Sequence, residues 1–494
     1  MAGLANGRNA AQEKQLGASS ALPQSRQDVV DDENEAGGRS QPLGGLVRVK
    51  TAGESGRRGI HPLHFFKIIW HSSSKISRAV NVLWPFVPAA LAVYYTNVGS
   101  AALRFSLAYI AMVPCANLIG FSGAELARKM PHMLGVLTET TIGSIVEIIL
   151  FLVLLLSHRQ NGENSETGNP ENENKFYIIR AAILGSILAT MLLCLGLCFF
   201  AAGLRRTTTT FDSAISEVGT GLLLMAGLGL AIPTIFSHSI DPVRYGISEI
   251  DLGLRTTQIS RVVAVLLLIA YVVFVWFQMS SHHSIYDAVF EHDEKRDHDR
   301  HKDAAKAKLT LTECAVALAV SVALVTLIAL ALVSEIEPLV EESGISDPFM
   351  GLILVPLVEK AAEHLTALDE AWDNQINFAL SHCIGSTIQT AMLNAPLVVI
   401  VAWGCGLQLD LSFEIFEIAI LILAIITVGN YLRDQKSDYL EGFLCVTTYI
   451  AIAVAAFYFP TLPLPGSGAE GTGEGASAGG AEGGHAERSL FMGM

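Results

Sequence analysis

The sequence predicts an all-α polytopic membrane protein of about eleven transmembrane helices, in which a first helix precedes two five-helix repeats inserted in opposite senses. Three observations predict it. The 494 residues are 51% hydrophobic and 16% charged, with mean hydropathy +0.44, more apolar surface than ordinary soluble domains bury. That surface falls into runs of roughly 20 residues, the length of helix that crosses a hydrocarbon core of about 30 Å. Lys and Arg recur on alternate connections, the bias expected of cytosolic loops.

In chain order, residues 1–79 form a cytosolic N-terminal region. Up to about residue 60 they are rich in Gly, Ser, Gln and charge, a composition that predicts disorder, with no signal-peptide pattern. Residues 61–78 combine Phe65, Phe66, Ile68, Ile69 and Trp70 with Lys67, Lys75 and Arg78. Such a segment lies along the membrane surface or docks on the protein itself. The first span, 80–97, is interrupted by Pro85 and Pro88. Spans at 101–122, 134–157, 177–203, 216–236 and 258–280 make a first repeat over 101–280. Those at 309–333, 347–372, 376–404, 412–433 and 439–459 make a second over 309–459. Residues 460–494, rich in Gly, Ala and Glu, are expected to be a disordered tail.

Arg128 and Lys129, Arg205 and Arg206, the cluster over 295–308, and Arg433 with Lys436 fall on the side of the N-terminus. The connection 335–347 carries Glu335, Glu337, Glu341, Glu342 and Asp347 without one Lys or Arg. The N-terminus is therefore expected in the cytosol and the C-terminus on the opposite side. Five spans per half is an odd number, so a second half that follows a cytosolic loop enters upside down, the inverted-repeat plan of many secondary transporters. That loop, 281–308, holds His282, His283, His292, His298 and His301 among acids and bases. It suits a solvated helical linker or a metal-binding, regulatory segment. The seven cysteines show no CxxC pair. Those in apolar runs, Cys115, Cys194, Cys198, Cys383 and Cys405, are expected to be small buried hydrophobes, with neither a disulfide framework nor a metal cage. The net charge of −15 is spread over termini and loops. The lipid bilayer is the expected partner, nucleic acid is not, and a homo-oligomer stays open.

The chemistry is concentrated in the run 352–372, which carries Glu359, Lys360, Glu363, His364, Asp369 and Glu370. Ionisable groups at bilayer depth are unfavourable unless they face a protein interior or a wet cavity, so they mark function. A weaker copy, with Glu147 in TTIGSIVEIILFLVLLL, lies about 200 residues earlier. Gly143 and Ser144 precede Glu147, and small or hydroxylated residues let helices approach and backbone unwind. Each acidic run is followed by a Gly-Ser pair within an apolar helix: Gly185 and Ser186 with Thr190, then Gly385 and Ser386 with Thr387, Gln389 and Thr390. Carboxylates and hydroxyls are hard ligands that suit calcium, magnesium, manganese or sodium. Glu359 and Glu363 share a helix face beside His364, and the Gln389 amide oxygen is placed to complete coordination. A carboxyl binds a metal only when deprotonated, so cation and proton compete for one site. That competition is the basis of an antiporter.

The stretches AAEHLTAL, GSTIQTAMLNAPLVVIVAWG, LGSILATMLLCLGLCFFAAGLRR and SRVVAVLLLIAYVVFVWFQMSSHHSIYD resemble the cation/proton exchanger family over residues 83–459. This is a branch of the calcium/cation antiporter superfamily whose best-known members load calcium into fungal and plant vacuoles. The resemblance, to a divergent fungal-type member, implies acidic metal ligands at Glu147 and Glu363 and a polar ligand at Gln389. It also implies eleven spans, a vacuolar membrane location with a lumenal C-terminus, no resident cofactor, and exchange of calcium as cargo for protons. The chain departs from the family where Gly-Asn is usual before each acid: here stand Gly143-Ser144 and Glu359-Lys360. Thr190 and Glu139 also replace expected asparagines. Two alternatives follow, a sodium or potassium/proton antiporter of the same fold, and a transport-inactive scaffold or regulator in which Glu359 and Lys360 collapse into a salt bridge. No ring-like pore motif suggests a channel, and no nucleophile with a base suggests an enzyme.

Overall fold

The computed structural model describes residues 41–43, 47–49, 59–71, 75–130, 132–162, 171–296 and 308–460. The tails expected over 1–40 and 461–494 lie outside the described residues, as do His298 and His301. Within the stretch expected to lack structure, β1 Gln41–Leu43 pairs antiparallel with β2 Val47–Val49, whose β-branched valines suit a strand. Helices α1 Pro62–His71, α2 Lys75–Val80 and α3 Phe86–Thr96 follow. The two readings of the basic segment meet in α1, which buries Ile68 against Phe121, Leu309 and Cys314 and leaves Leu63, Phe66 and Trp70 exposed.

The first half contains α4 Ala101–Ala127, α5 His132–Gly143, α6 Ile145–Gly162, α7 Glu171–Leu188, α8 Leu195–Arg205, α9 Ser213–Ser239, the single turn α10 Pro242–Tyr245, and α11 Glu249–Trp276. Helix α12 His283–Arg296 occupies the connection. The second half contains α13 Leu311–Ser334, α14 Ile336–Ser343, α15 Asp347–Phe349, α16 Val355–Glu359, α17 Ala361–Trp372, α18 Ile376–Gln389, α19 Ala395–Gly404, α20 Ile415–Leu432 and α21 Tyr439–Phe457.

Ten helices among the described residues are long and apolar enough to cross a membrane. The expected span 347–372 is not one of them, because it is charged and broken. It runs through α15, a π-type turn over Met350–Leu354, α16, a bend at Lys360, and α17. It still passes from one end of the bundle to the other.

The connections sort onto two faces. On one, Arg205 Nη1 donates to the Trp372 carbonyl at 2.6 Å and β3 Thr209–Thr210 pairs with β4 Lys436–Ser437. There too the Asn377 backbone N–H, at the start of α18, donates to the Asp293 carboxylate of α12 at 2.7 Å. On the other face Arg104 meets Glu335 at 2.8 Å, Arg180 meets Asp410 at 2.7 Å, and the Ser346 hydroxyl donates to the Ala456 carbonyl at 2.7 Å. Arg205, Arg206, Arg433 and Lys436 all belong to the first, Arg-rich face. The described part of the central connection, α12, is helical as expected but packed rather than freely solvated. Phe290 stacks on Phe378 with ring centroids 4.6 Å apart. Burial raises the pKa of Asp293 above the ordinary carboxylate range, against the opposing pull of its N–H donors.

Two irregularities recur at matching places in the halves. A single non-helical residue, Ser144, separates α5 from α6 three residues before Glu147, and Lys360 separates α16 from α17 three residues before Glu363. After each Gly-Ser pair the helix widens into a π-type turn, Ala189–Cys194 and Thr390–Asn394. Such turns shift the bonding pattern to i→i+5 and concentrate at functional sites. At the end of the Met350–Leu354 turn, Tyr109 Oη donates to the Leu354 carbonyl at 2.9 Å.

The halves touch backbone to backbone at Gly185, where a Cβ would lie 2.2 Å from the Leu352 carbonyl oxygen and 2.5 Å from Pro356 Cγ. Overpacking that forces backbone to move costs about 1–3 kcal/mol. Gly185→Ala is therefore expected to lower the thermal unfolding midpoint of the detergent-purified protein. An unchanged midpoint would mean that the halves do not rest on this contact.

Candidate cation site

Glu147 stands on the first turn of α6 and Glu363 on the first turn of α17. The broken helices cross the bundle in opposite directions, so both carboxylates arrive at its middle. The group between them is the Lys360 ammonium. Its Nζ lies 2.6 Å from Glu147 Oε2, 3.2 and 3.4 Å from the two oxygens of Glu363, and 3.1 Å from Ser386 Oγ. An ammonium has three donors and no acceptor, and here three residues receive them. Lys360 is 0% and Glu147 1% exposed, a depth at which either charge alone would be strongly unfavourable.

Glu359 has a different partner, the Ser186 hydroxyl, which donates to its Oε1. This corrects the expected Glu359–Lys360 salt bridge. Adjacent residues on a helix point about 100° apart, and the bend at Lys360 aims its side chain across to α6. Glu363 accepts from the Ser386 hydroxyl. Glu147 Oε2 also accepts from Thr390 Oγ1 and Asn394 Nδ2, each at 2.9 Å. These two residues bound the second π-type turn, and Asn394 is a partner that sequence reasoning missed. Its only signal was an amide inside an apolar run.

Gln389 lies elsewhere: it lines a second recess with Thr140, Tyr271, Phe274, Gln278 and Gly385, and bonds neither carboxylate. Gly143 stands against Glu363, where a Cβ would come 2.9 Å from Oε1, so a larger residue there would push that carboxylate away from α5. Ser144 Oγ donates back to the Thr140 carbonyl at 3.1 Å. Thr190 borders the same space. His364 is not among the hydrogen-bond partners of the ammonium or of either carboxylate, and its Nε2 makes no hydrogen bond. Four buried oxygens around the site, Glu147 Oε1, Glu359 Oε2, Thr190 Oγ1 and Asn394 Oδ1, likewise have no hydrogen-bond donor. All four are hard ligands.

A narrow recess reaches the site and is lined by Glu139, Gly143, Thr190, Glu363, His382 and Ser386 among others. Each of these lies between the breaks and the Arg-rich face. Glu363 accordingly keeps 15% side-chain exposure while Glu147 has 1%. At the wall, His382 Nδ1 is 2.7 Å from Glu370 Oε2 and its Nε2 is 3.9 Å from Glu139 Oε2. Acidic groups along a low-dielectric recess raise the local concentration of cations.

Residues 100–280 and 314–458, more than half of the chain, match the sodium/calcium exchanger protein family. The chain belongs to that family. It is 30% identical over 380 residues to vacuolar cation/proton exchanger 2 of rice, covering 76% of this chain and 81% of the relative. It is 30% identical over 385 residues to the vacuolar calcium ion transporter of Schizosaccharomyces pombe, covering 78% and 86%. Among solved structures the fold is similar to that of native YfkE, with TM-score 0.59 and 22% identity over 76% of this chain and 100% of that one. The H+/Ca2+ exchanger CAX aligns with TM-score 0.55 and 13% identity over 81% and 90%. This member of the sodium/calcium exchanger family is an all-helical integral membrane protein.

Proposed function

We propose that this exchanger-family chain is a secondary antiporter of the vacuolar membrane that exchanges a cation, calcium first among the candidates, for protons. The observation that carries this reading is that a cation already sits between Glu147 and Glu363. The Lys360 ammonium takes the place a transported ion would take, held by one carboxylate from each inverted half. The names of the relatives, vacuolar cation/proton exchangers and a vacuolar calcium ion transporter, support the same choice of cargo and membrane.

In this mechanism Glu147 and Glu363 bind either the cation or protons, and elements of the inverted repeats shift about the site to expose it in turn to each face. The recess corresponds to the state open toward the Arg-rich face, which the positive-inside bias assigns to the cytosol together with the N-terminus. The C-terminus is then lumenal. An arriving cation displaces the ammonium and exchanges its hydration waters for the carboxylate oxygens and neighbouring protein oxygens. Exchange needs no resident cofactor, since the cation is cargo.

The same ammonium favours a second reading, in which it fills the site permanently and the chain is transport-inactive. The two separate in liposomes with an acid interior, where lumenal pH is followed as calcium, manganese, sodium or potassium is added outside. Proton efflux driven by calcium or manganese, absent from Glu363→Gln, supports the antiport reading. Efflux with sodium or potassium alone moves the cargo to monovalent ions. No efflux from folded protein with any ion leaves the inactive reading.

A further inference from the structure

A second cluster of ligand-type side chains lies beside the recess, and its chemistry is unlike that of the carboxylate site. Cys194 ends the first π-type turn, Cys198 follows one turn later on α8, and Cys383 stands on α18. Their sulfurs all lie within 4.8 Å of one another, with Cys194 and Cys383 Sγ 3.5 Å apart. Among the described residues this is the one group of His, Cys, Asp and Glu whose ligand atoms converge so closely. Three sulfurs bound at about 2.3 Å to one ion lie about 3.8–4.0 Å from one another, so small side-chain adjustments complete the geometry. Spacing in sequence does not reveal the cluster, because Cys383 comes from the other half of the chain.

We propose that Cys194, Cys198 and Cys383 form a binding site for a thiophilic d10 cation such as cadmium or copper(I), and that its occupation obstructs the recess and arrests exchange. Thiolates select soft ions, whereas the oxygens around Glu147 and Glu363 select hard ones, so one recess serves two classes of cation. Access is built in: Cys194 and Cys383 line the recess that leads to Glu363. Binding replaces thiol protons by metal–sulfur bonds. A divalent ion taken by three thiols releases three protons into the recess and leaves a complex of net charge −1, with no change of oxidation state. Two ligands come from the first half and one from the second, and the ion they hold stands where Cys194 and Cys383 line the path to Glu363. A bound ion therefore obstructs the path between the carboxylates and the Arg-rich face. The arrest rests on the antiport reading, but the binding does not.

The test is a cadmium titration of the full chain, purified in detergent without a histidine tag. Two quantities are read: the ultraviolet charge-transfer band of cadmium thiolate and the amount of bound metal. One cadmium per chain with the band is expected. Cys383→Ser and Cys194→Ala should each weaken binding at least tenfold, and Cys115→Ser, outside the cluster, should not. In liposomes the cadmium concentration that halves exchange should rise at least tenfold in Cys383→Ser. No band, or equal affinity in wild type, Cys383→Ser and Cys194→Ala, would overturn the site. A band in a protein that exchanges nothing would keep the site and remove the antiport reading. Full exchange with cadmium bound would overturn the arrest.

Discussion

Replacing Lys360 with asparagine is expected to raise the apparent affinity for calcium at least tenfold and to destabilise the cation-free protein. The ammonium is 2.6 Å from Glu147 and 3.2 Å from Glu363, inside the radius a bound calcium would claim, so ion and side chain cannot share the site. Removing one partner from a buried ion pair costs about 3–5 kcal/mol, and Lys360→Asn leaves its carboxylates without their counter-charge. Calcium should then restore much of the loss. Ligand at 100 times its dissociation constant stabilises by about 2.7 kcal/mol. Thermal unfolding with and without calcium measures both effects in one experiment. Lys360→Met removes the charge but keeps much of the side-chain bulk, and so separates repulsion from simple blockage. The double change Glu359→Gly with Lys360→Asn restores the motif the family usually carries and should give the largest calcium response. Unaltered calcium dependence in all three variants would show that the ammonium does not compete.

Glu147→Gln and Glu363→Gln are each expected to abolish exchange, but with different effects on folding. Both remove a group that must hold either a proton or a cation. Glu147, however, is 1% exposed and is the nearest partner of Lys360. Its loss leaves a buried ammonium short of charge, at about 3–5 kcal/mol. Glu363 has 15% side-chain exposure, so its loss leaves Lys360 still paired with Glu147. Glu147→Gln should therefore unfold at a clearly lower temperature than Glu363→Gln. Asp369→Asn, later on α17, should change transport far less. Proton efflux assays on folded protein decide the first point and calorimetry the second. Normal exchange by both glutamine variants would remove the site assignment.

The sequence by itself determined the class, the number of crossings, the alternation of loop charge and the pair of acidic runs. These are local properties: a helix must be about 20 apolar residues long to span the hydrocarbon core, and loop charge depends only on neighbouring residues. The same locality marked Glu147 and Glu363 as the acids of the two runs, while the helix breaks three residues before each, at Ser144 and Lys360, come from the structure. The tertiary structure alone decided what those groups touch. Lys360 bonds Glu147 across the bundle rather than adjacent Glu359, because the break in one helix aims it at the other. Thr390 and Asn394, not Gln389, reach Glu147, because the π-type turn beginning at Thr390 changes which side chains face the centre. Cys194, Cys198 and Cys383 meet because the first π-type turn and α8 pack against α18. Contacts between halves depend on helix crossing and on the phase of each turn, and a pattern read along one strand of sequence carries neither.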